Sequence, residues 1–308
     1  MFEWTLFQLF CDFQVLIRQT YSNKTMGPRI ISVIGYIDMD FTMTTPRLPD
    51  VGESLQARGY SASPGGKGAN AAVAAFRSVH KKIHHGDTAG QFHFEYPYKG
   101  EEDIQVRMIG AVGQDGNGPL AVQNLKENGV DISGVKVLAG EVTGICFCLV
   151  DSYTGENRLL YTPGATATIE PEEFMTPDSL GNGVIPDLII SQLECRIRTV
   201  EQLIKTAGEA GIDVLLNAAP AAQILPQTYQ YLTHLIVNES EAAMLSGREV
   251  ENVVKETWLE IAEEFLLWKV KNVVITLGAQ GAFYATANGK NGHVPAEKVK
   301  VLDATGAG

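Results

Sequence analysis

The chain has 308 residues, 45% hydrophobic and 19% charged, enough for one large α/β domain or two small ones with an ample core. Its formal net charge of −12 argues against a general nucleic-acid binder or a binder of anionic membranes, because both need a basic face. An anionic nucleotide remains compatible, since a few local donors and a metal override the global sign. The four cysteines are sparse and irregularly spaced. Cys146 and Cys148 share one face of a predicted strand, no second pair completes a zinc site, and all read as reduced thiols.

Residues 1–25 are apolar and aromatic but carry Glu3 and Asp12, with no positive charge ahead of the apolar stretch. This is a poor secretory signal and too short and charged to span a membrane. Residues 1–28 are therefore expected to be a leader outside the fold, with Met26 as an alternative start. Buried strands are predicted at 30–34, 106–111, 188–191, 214–217, 234–237 and 273–277. Helices are predicted between them at 68–80, 119–128, 199–210, 240–246 and 256–269. Strands apolar on both faces and alternating with helices indicate a mostly parallel sheet covered on both sides, a three-layer α/β/α fold.

Two segments break the rhythm. Residues 38–64 read as two extended pieces and 142–163 as a hairpin, all without intervening helices. They predict a small separate β-sheet, placed as a lid that excludes water. Residues 84–103, with His84, His85 and His93, read as a polar surface insertion without metal-ligand spacing.

Asp38 and Asp40 follow the first strand, at the edge where open α/β sheets bind ligands. Carboxylates two residues apart face the same way and accept hydrogen bonds from polyol hydroxyls, although solvated loop acids would look the same. Glu194 occupies the equivalent place after the strand at 188–191. Gly65-Gly66-Lys67-Gly68-Ala69-Asn70 follows an extended piece and opens a helix of small residues. The glycines let a ligand approach the backbone, Lys67 supplies charged donors and Asn70 a two-sided amide. A plain glycine turn with a surface lysine is the alternative, and the spacing is not that of a Walker loop.

Asn238 and Glu241 stand at the N-cap and third positions of a predicted helix, which a helix cap explains by itself. The functional alternative is an oxygen-rich magnesium site. Thr276, Gly278 and Gly281 form another strand-end glycine turn, suited to close contact with a nucleotide. Gly110 to Asp115 looks similar, but neither turn has the spacing of a dinucleotide fingerprint. Asp303-Ala304-Thr305-Gly306-Ala307-Gly308 leaves successive N–H groups uncovered, as in an anion-binding turn ahead of a helix.

Together these residues resemble the PfkB-type carbohydrate kinases, in their ribokinase branch, from about residue 29 to 308. The resemblance is carried by the Gly65–Asn70 stretch, by Asn238-x-x-Glu241 and by the Asp303–Gly308 turn. It implies ATP-dependent phosphorylation of a sugar hydroxyl, D-ribose to ribose 5-phosphate. The alternatives are a related sugar or nucleoside kinase, or a non-catalytic sugar- and nucleotide-binding protein on the same fold. Asp38, Asp40, Gly66, Lys67, Asn70 and Glu194 would hold the sugar, with Asp38 standing where ribokinases commonly have Asn. Thr276, Gly278 and Gly281 would line the ATP site, with Asn238 near the phosphates and Asn238 and Glu241 serving Mg2+. Asp303 and Thr305 would serve a K+ site, and Gly306, Ala307 and Gly308 would form the anion hole. The catalytic aspartate is expected directly after Gly308, which makes the chain as written an incomplete and inactive kinase domain. A homodimer through the lid and a cytoplasmic location, with the nucleus as a further compartment, complete the expectation.

Overall fold

The computed structural model describes residues 29–80 and 104–296; the leader, the 84–103 insertion and the Asp303–Gly308 turn lie outside them. The chain opens with β1 (Arg29–Ile34), then β2 (Asp38–Thr45), β3 (Gly59–Gly65) and α1 (Lys67–His80). β4 (Ile104–Gly113), α2 (Gly118–Glu127), β5 (Asp131–Leu138), β6 (Gly144–Asp151) and β7 (Asn157–Thr162) follow. Then come β8 (Leu188–Gln192), α3 (Ile197–Glu209), β9 (Asp213–Asn217), β10 (His234–Asn238) and α4 (Glu239–Ser246). α5 (Trp258–Leu267), β11 (Asn272–Thr276), β12 (Ala282–Thr286) and β13 (Asn291–Val294) complete the described elements.

The large sheet runs β13-β12-β11-β10-β9-β8-β1-β4-β5. Its strands are parallel from β11 to β5, and β12 and β13 are antiparallel at one edge. Successive residues of the central strands enter opposite cores, as strand geometry requires. Val33 and Ile190 pack with Ala69, Ala72 and Ala75 of α1 and with Leu125 of α2. Ile34 and Ile189 pack with Leu203 of α3, Leu245 of α4 and Phe265 of α5 on the other side. Both faces are therefore covered by helices, and the expected three-layer architecture stands.

The predicted lid is a four-stranded sheet of order β3-β2-β6-β7. β2 pairs with β3 antiparallel and with β6 parallel, although β2 and β6 are about a hundred residues apart in sequence.

Sequence reading missed β5, β12 and β13. In β5 the alternation is interrupted at Ser133-Gly134, where the pairing with β4 shifts register between Arg107 and Ile109. β12 and β13 are short strands toward the antiparallel edge, with Tyr284 outward, so neither shows a continuous apolar run. The last predicted helix is shorter than the span 256–269. It begins at Trp258 after the Thr257 hydroxyl bonds the Asn252 and Val254 carbonyls, and it ends before Lys269, which has a φ of 74°.

Candidate active site

Successive strands add to one side of β1 through β4 and β5, and to the other through β8, β9, β10 and β11. The crevice beyond the C-terminal ends of β1 and β8 is thus the point where strand order reverses, the place such sheets bind ligands. Asp38 comes just after β1 and Glu194 just after β8, so the topology brings them to the same crevice.

The turn from β3 into α1 is built against the backbone that follows β1. The Ala69 N–H donates to the Tyr36 carbonyl at 2.9 Å. Gly66 has a φ of 92°, and a Cβ there would stand 2.6 Å from the Tyr36 carbonyl oxygen. At Gly68 a Cβ would stand 2.6 Å from the Gly35 carbonyl carbon. Only glycine fits this approach, which selects the structural meaning of the Gly-rich stretch. It lays the helix N-terminus beside Asp38 and Asp40.

Lys67 opens α1, and its main-chain N–H donates to Glu194 Oε2 at 3.0 Å. Its ammonium acts electrostatically on Asp38, Asp40, Glu194 and also Glu241. One cation thus links the acidic cluster at β1 and β8 with the helix cap after β10. Burial, with Asp40 and Glu194 nearby, pushes the Asp38 carboxyl up to about 7 despite Lys67. Burial likewise raises Asp40, against the opposing effects of Lys67 and a hydrogen bond with Cys146. Glu194 is raised to about 7, again by burial first. A set of desolvated carboxylates around one ammonium, in a crevice, is the arrangement that receives hydroxyl groups of a polar ligand.

Asn70 is exposed at the first turn of α1, one helical turn from Gly66, whose carbonyl accepts its N–H at 2.9 Å.

Asn238 caps α4 with a reciprocal box. The Glu241 N–H donates to Asn238 Oδ1 at 2.8 Å, and the Asn238 N–H donates to Glu241 Oε2 at 2.8 Å. The Asn238 amide also donates to Glu241 Oε1 at 3.0 Å. The cap explanation therefore holds in full. Both Glu241 oxygens are engaged within the box, so direct ligation of a metal would break it, and contact through metal-bound water would not. Among the described residues no group of three acidic, His or Cys side chains is gathered for a metal.

The turn after β11 is closed by the Leu277 N–H donating to the Gly281 carbonyl at 2.8 Å. A Cβ at Gly281 would stand 2.0 Å from the Val294 carbonyl oxygen, whereas one at Gly278 would meet nothing within 4 Å. Gly281 therefore serves the fold, and Gly278 leaves open space beside the crevice. Thr276 donates through its hydroxyl to the Val237 carbonyl at 3.4 Å, tying the ends of β10 and β11. The remaining expected site residues, Asp303, Thr305, Gly306, Ala307 and Gly308, lie outside the described residues.

Residue spacing did not reveal three members of the site. Cys146 reaches the Asp40 carboxylate because it is the register partner of Asp40 on β6. Tyr36 is buried beside Cys195, Glu194, Tyr161 and Asp38, which together with burial keep its phenol protonated. Asp115 accepts the Thr143 N–H at 2.9 Å, the Thr143 hydroxyl at 2.7 Å and the Gly118 N–H at 2.9 Å. It clamps the root of β6 onto the end of β4. The Gly-rich look of 110–115 thus marks an anchor for the small sheet, and an Asp in a strand-end turn was the available signal.

The profile of the pfkB family of carbohydrate kinases matches residues 29–308. The chain belongs to that family. This kinase is 34% identical over 281 residues to the ribokinase of Schizosaccharomyces pombe, across 90% of this chain and 81% of that one. The solved ribokinase of Thermotoga maritima matches with a TM-score of 0.69 at 29% identity, over 90% of this chain and 81% of its own. The Arabidopsis thaliana ribokinase, solved with ribose and ATP, matches in fold with a TM-score of 0.72 at 24% identity, over 91% and 82%. The chemistry of this family member is transfer of a phosphoryl group to a sugar hydroxyl, and the acidic crevice is its candidate sugar subsite. No helix among the described residues is long and apolar enough to cross a membrane.

Proposed function

We propose that this kinase phosphorylates D-ribose with ATP, giving ribose 5-phosphate. The observation that carries the reading is the convergence of Asp38, Asp40 and Glu194 on Lys67 at the switch-point crevice of a pfkB-family fold. Asp38, Asp40, Glu194 and Asn70 hold sugar hydroxyls, and Gly66 lets the sugar approach the backbone. The Lys67 ammonium balances their charge. Phosphoryl transfer then needs alignment and charge neutralisation more than covalent help. Thr276, Gly278 and Gly281 line the ATP side. Asn238 and Glu241 reach a phosphate-borne Mg2+ through its waters, the mode that leaves the cap intact.

On this reading Gly306, Ala307 and Gly308 serve the γ-phosphate, and Asp303 and Thr305 serve K+. The lid sheet forms a homodimer through its outer face, where Phe41 stacks on Phe147 and Leu160 is 76% exposed. Cys146, Cys148 and Cys195 are thiols rather than disulfides, which fits a reducing cytoplasm, and the same reading extends to the nucleus.

Calorimetry with ribose, fructose and adenosine, with and without a non-hydrolysable ATP analogue, tests the substrate. Ribose is expected to bind best. ADP release with each sugar then reads transfer. Ribose-dependent ADP release is expected. Binding of both ligands without turnover supports the non-catalytic alternative, and tighter binding of adenosine or fructose overturns the ribose assignment.

A further inference from the structure

The sugar subsite holds more carboxylates than its cations can balance, and their surroundings differ. We propose that Asp38 carries a proton in the ligand-free protein near neutral pH and presents its carboxyl O–H to an oxygen of the sugar, so that the subsite contains one acid donor beside two carboxylate acceptors. The role of the donor rests on the sugar-kinase reading above; the location of the proton does not.

Asp38 and Asp40 lie on the same face of β2. Asp38 pairs with Gly65 of β3 and Gly144 of β6, so no cross-strand side chain flanks it on either side. Both carboxylates lean toward Gly65. Asp40 Oδ2 lies 2.2 Å, and Asp38 Oδ1 2.8 Å, from the point where a Cβ of Gly65 would stand. Two ionised carboxylates sharing one desolvated space repel, and one proton shared into the pair relieves the repulsion.

The neighbours decide which group holds it. Burial raises Glu194 to about 7 as well, but it accepts the Lys67 main-chain N–H at 3.0 Å, which favours its ionised form, so Glu194 gives up its proton before Asp38 as pH rises. Asp40 is half-buried and receives the Cys146 thiol as a donor. Asp38 is only 7% exposed, and its Oδ1 has no hydrogen-bond partner. A buried carboxylate oxygen without a donor is the costliest of the three to ionise. The charged groups bearing on Asp38 are Asp40 on its own strand, Glu194 beyond β8 and Lys67 at the start of α1. The other titratable groups facing the cluster stay neutral: the Cys146 thiol on β6 is pushed up to about 11, and the Tyr36 phenol before β2 is raised by burial. Neither supplies a compensating charge. The rise of Asp38 to about 7 agrees with this placement.

A protonated Asp38 changes what the subsite selects. It gives a hydrogen bond to a hydroxyl or ring oxygen, while Asp40 and Glu194 take hydrogen bonds from hydroxyl hydrogens. Above the titration of Asp38, the sugar has to bind with uptake of a proton, and its affinity falls by about tenfold per pH unit.

Two measurements on the full chain test this. In the ligand-free protein labelled with 13C at aspartate carboxyls, the Asp38 signal is assigned by its loss in Asp38→Asn. It is expected to titrate near neutral pH, and Asp40→Asn is expected to move that titration to lower pH by removing a neighbouring charge. Titration of Asp38 in the ordinary carboxylate range overturns the proposal whatever the sugar does. Ribose calorimetry from about pH 6 to about pH 9, in buffers of different ionisation enthalpy, then reads the donor role. The expected result is falling affinity with proton uptake in the wild type above the Asp38 titration, against a shallower profile and less uptake in Asp38→Asn, where only Glu194 titrates nearby. A flat wild-type profile without proton uptake removes the donor role. If ribose binds at no pH, the substrate reading fails, while the carboxyl titration still decides where the proton sits.

Discussion

Glu194 accepts the main-chain N–H of Lys67 at 3.0 Å across 127 residues of sequence. The contact joins the end of β8 to the first residue of α1 and brings a third carboxylate to the Asp38–Asp40 pair. It also keeps Glu194 in place while burial opposes its charge.

Glu194→Gln is expected to change how stability depends on pH. The Glu194 pKa is raised from 4.5 to about 7 by burial. Between those values the folded state holds a proton that the unfolded chain has released. The contribution of Glu194 is therefore fully present below about 4.5, is lost as pH rises to about 7, and levels off above. The variant should gain on the wild type across that window by up to roughly 3 kcal/mol in the absence of ligand. Urea unfolding at a series of pH values measures the gap, and a constant gap would contradict the assigned burial.

Two of the positive-φ glycines at the crevice, Gly66 and Gly278, should respond differently. Gly66→Ala forces a Cβ to 2.6 Å from the Tyr36 carbonyl oxygen at a φ of 92°. A loss of at least roughly 1–3 kcal/mol is expected, together with loss of ribose binding. Gly278→Ala, at a φ of 52° with open space around it, should cost only about 1 kcal/mol. Any larger functional effect at Gly278 should fall on nucleotide affinity. Chemical denaturation paired with ribose and ATP-analogue titrations separates the two cases.

At Asn238, the cap and the phosphate role can be pulled apart by the choice of replacement. Serine caps a helix about as well as asparagine, and alanine does not cap, at a cost of about 1 kcal/mol. Asn238→Ser should therefore melt like the wild type and Asn238→Ala earlier. Both should lose affinity for the magnesium complex of an ATP analogue. Unchanged affinity in Asn238→Ser would reduce Asn238 to a structural cap.

The outer face of the lid offers a test of assembly. Leu160 is the register partner of Phe147, which stacks on Phe41 with ring centroids 5.2 Å apart. Leu160→Asp should turn a dimer into a monomer in light scattering at micromolar concentration, because a buried unpaired charge opposes association. A wild type that is already monomeric would remove the lid-mediated dimer.

Much of this was legible in the chain itself, for local reasons. Doubly apolar runs such as 30–34 and 188–191 can be satisfied only between two helical layers, and they became β1 and β8. The glycines at 65, 66 and 68 indicate room for a ligand against the backbone, whereas at 66 and 68 the space is filled by the Gly35–Tyr36 backbone. The cap at Asn238 and Glu241 follows from a spacing of three. By contrast, β5 was hidden by a register shift, and the 110–115 turn read as a ligand loop until Asp115 was seen clamping Thr143.

The sequence by itself determined the layered α/β class, the separate small sheet and the residue types gathered at the acidic crevice, because periodicity, glycine conformation and capping act over a few residues. Only the tertiary structure decided that Asp38, Asp40 and Glu194 share one lysine, that Cys146 donates to Asp40, and that Asp38 Oδ1 lacks a donor. Those relations depend on strand order and register between segments about a hundred residues apart. Packing of two cores around the sheet sets that register, and no local spacing encodes it.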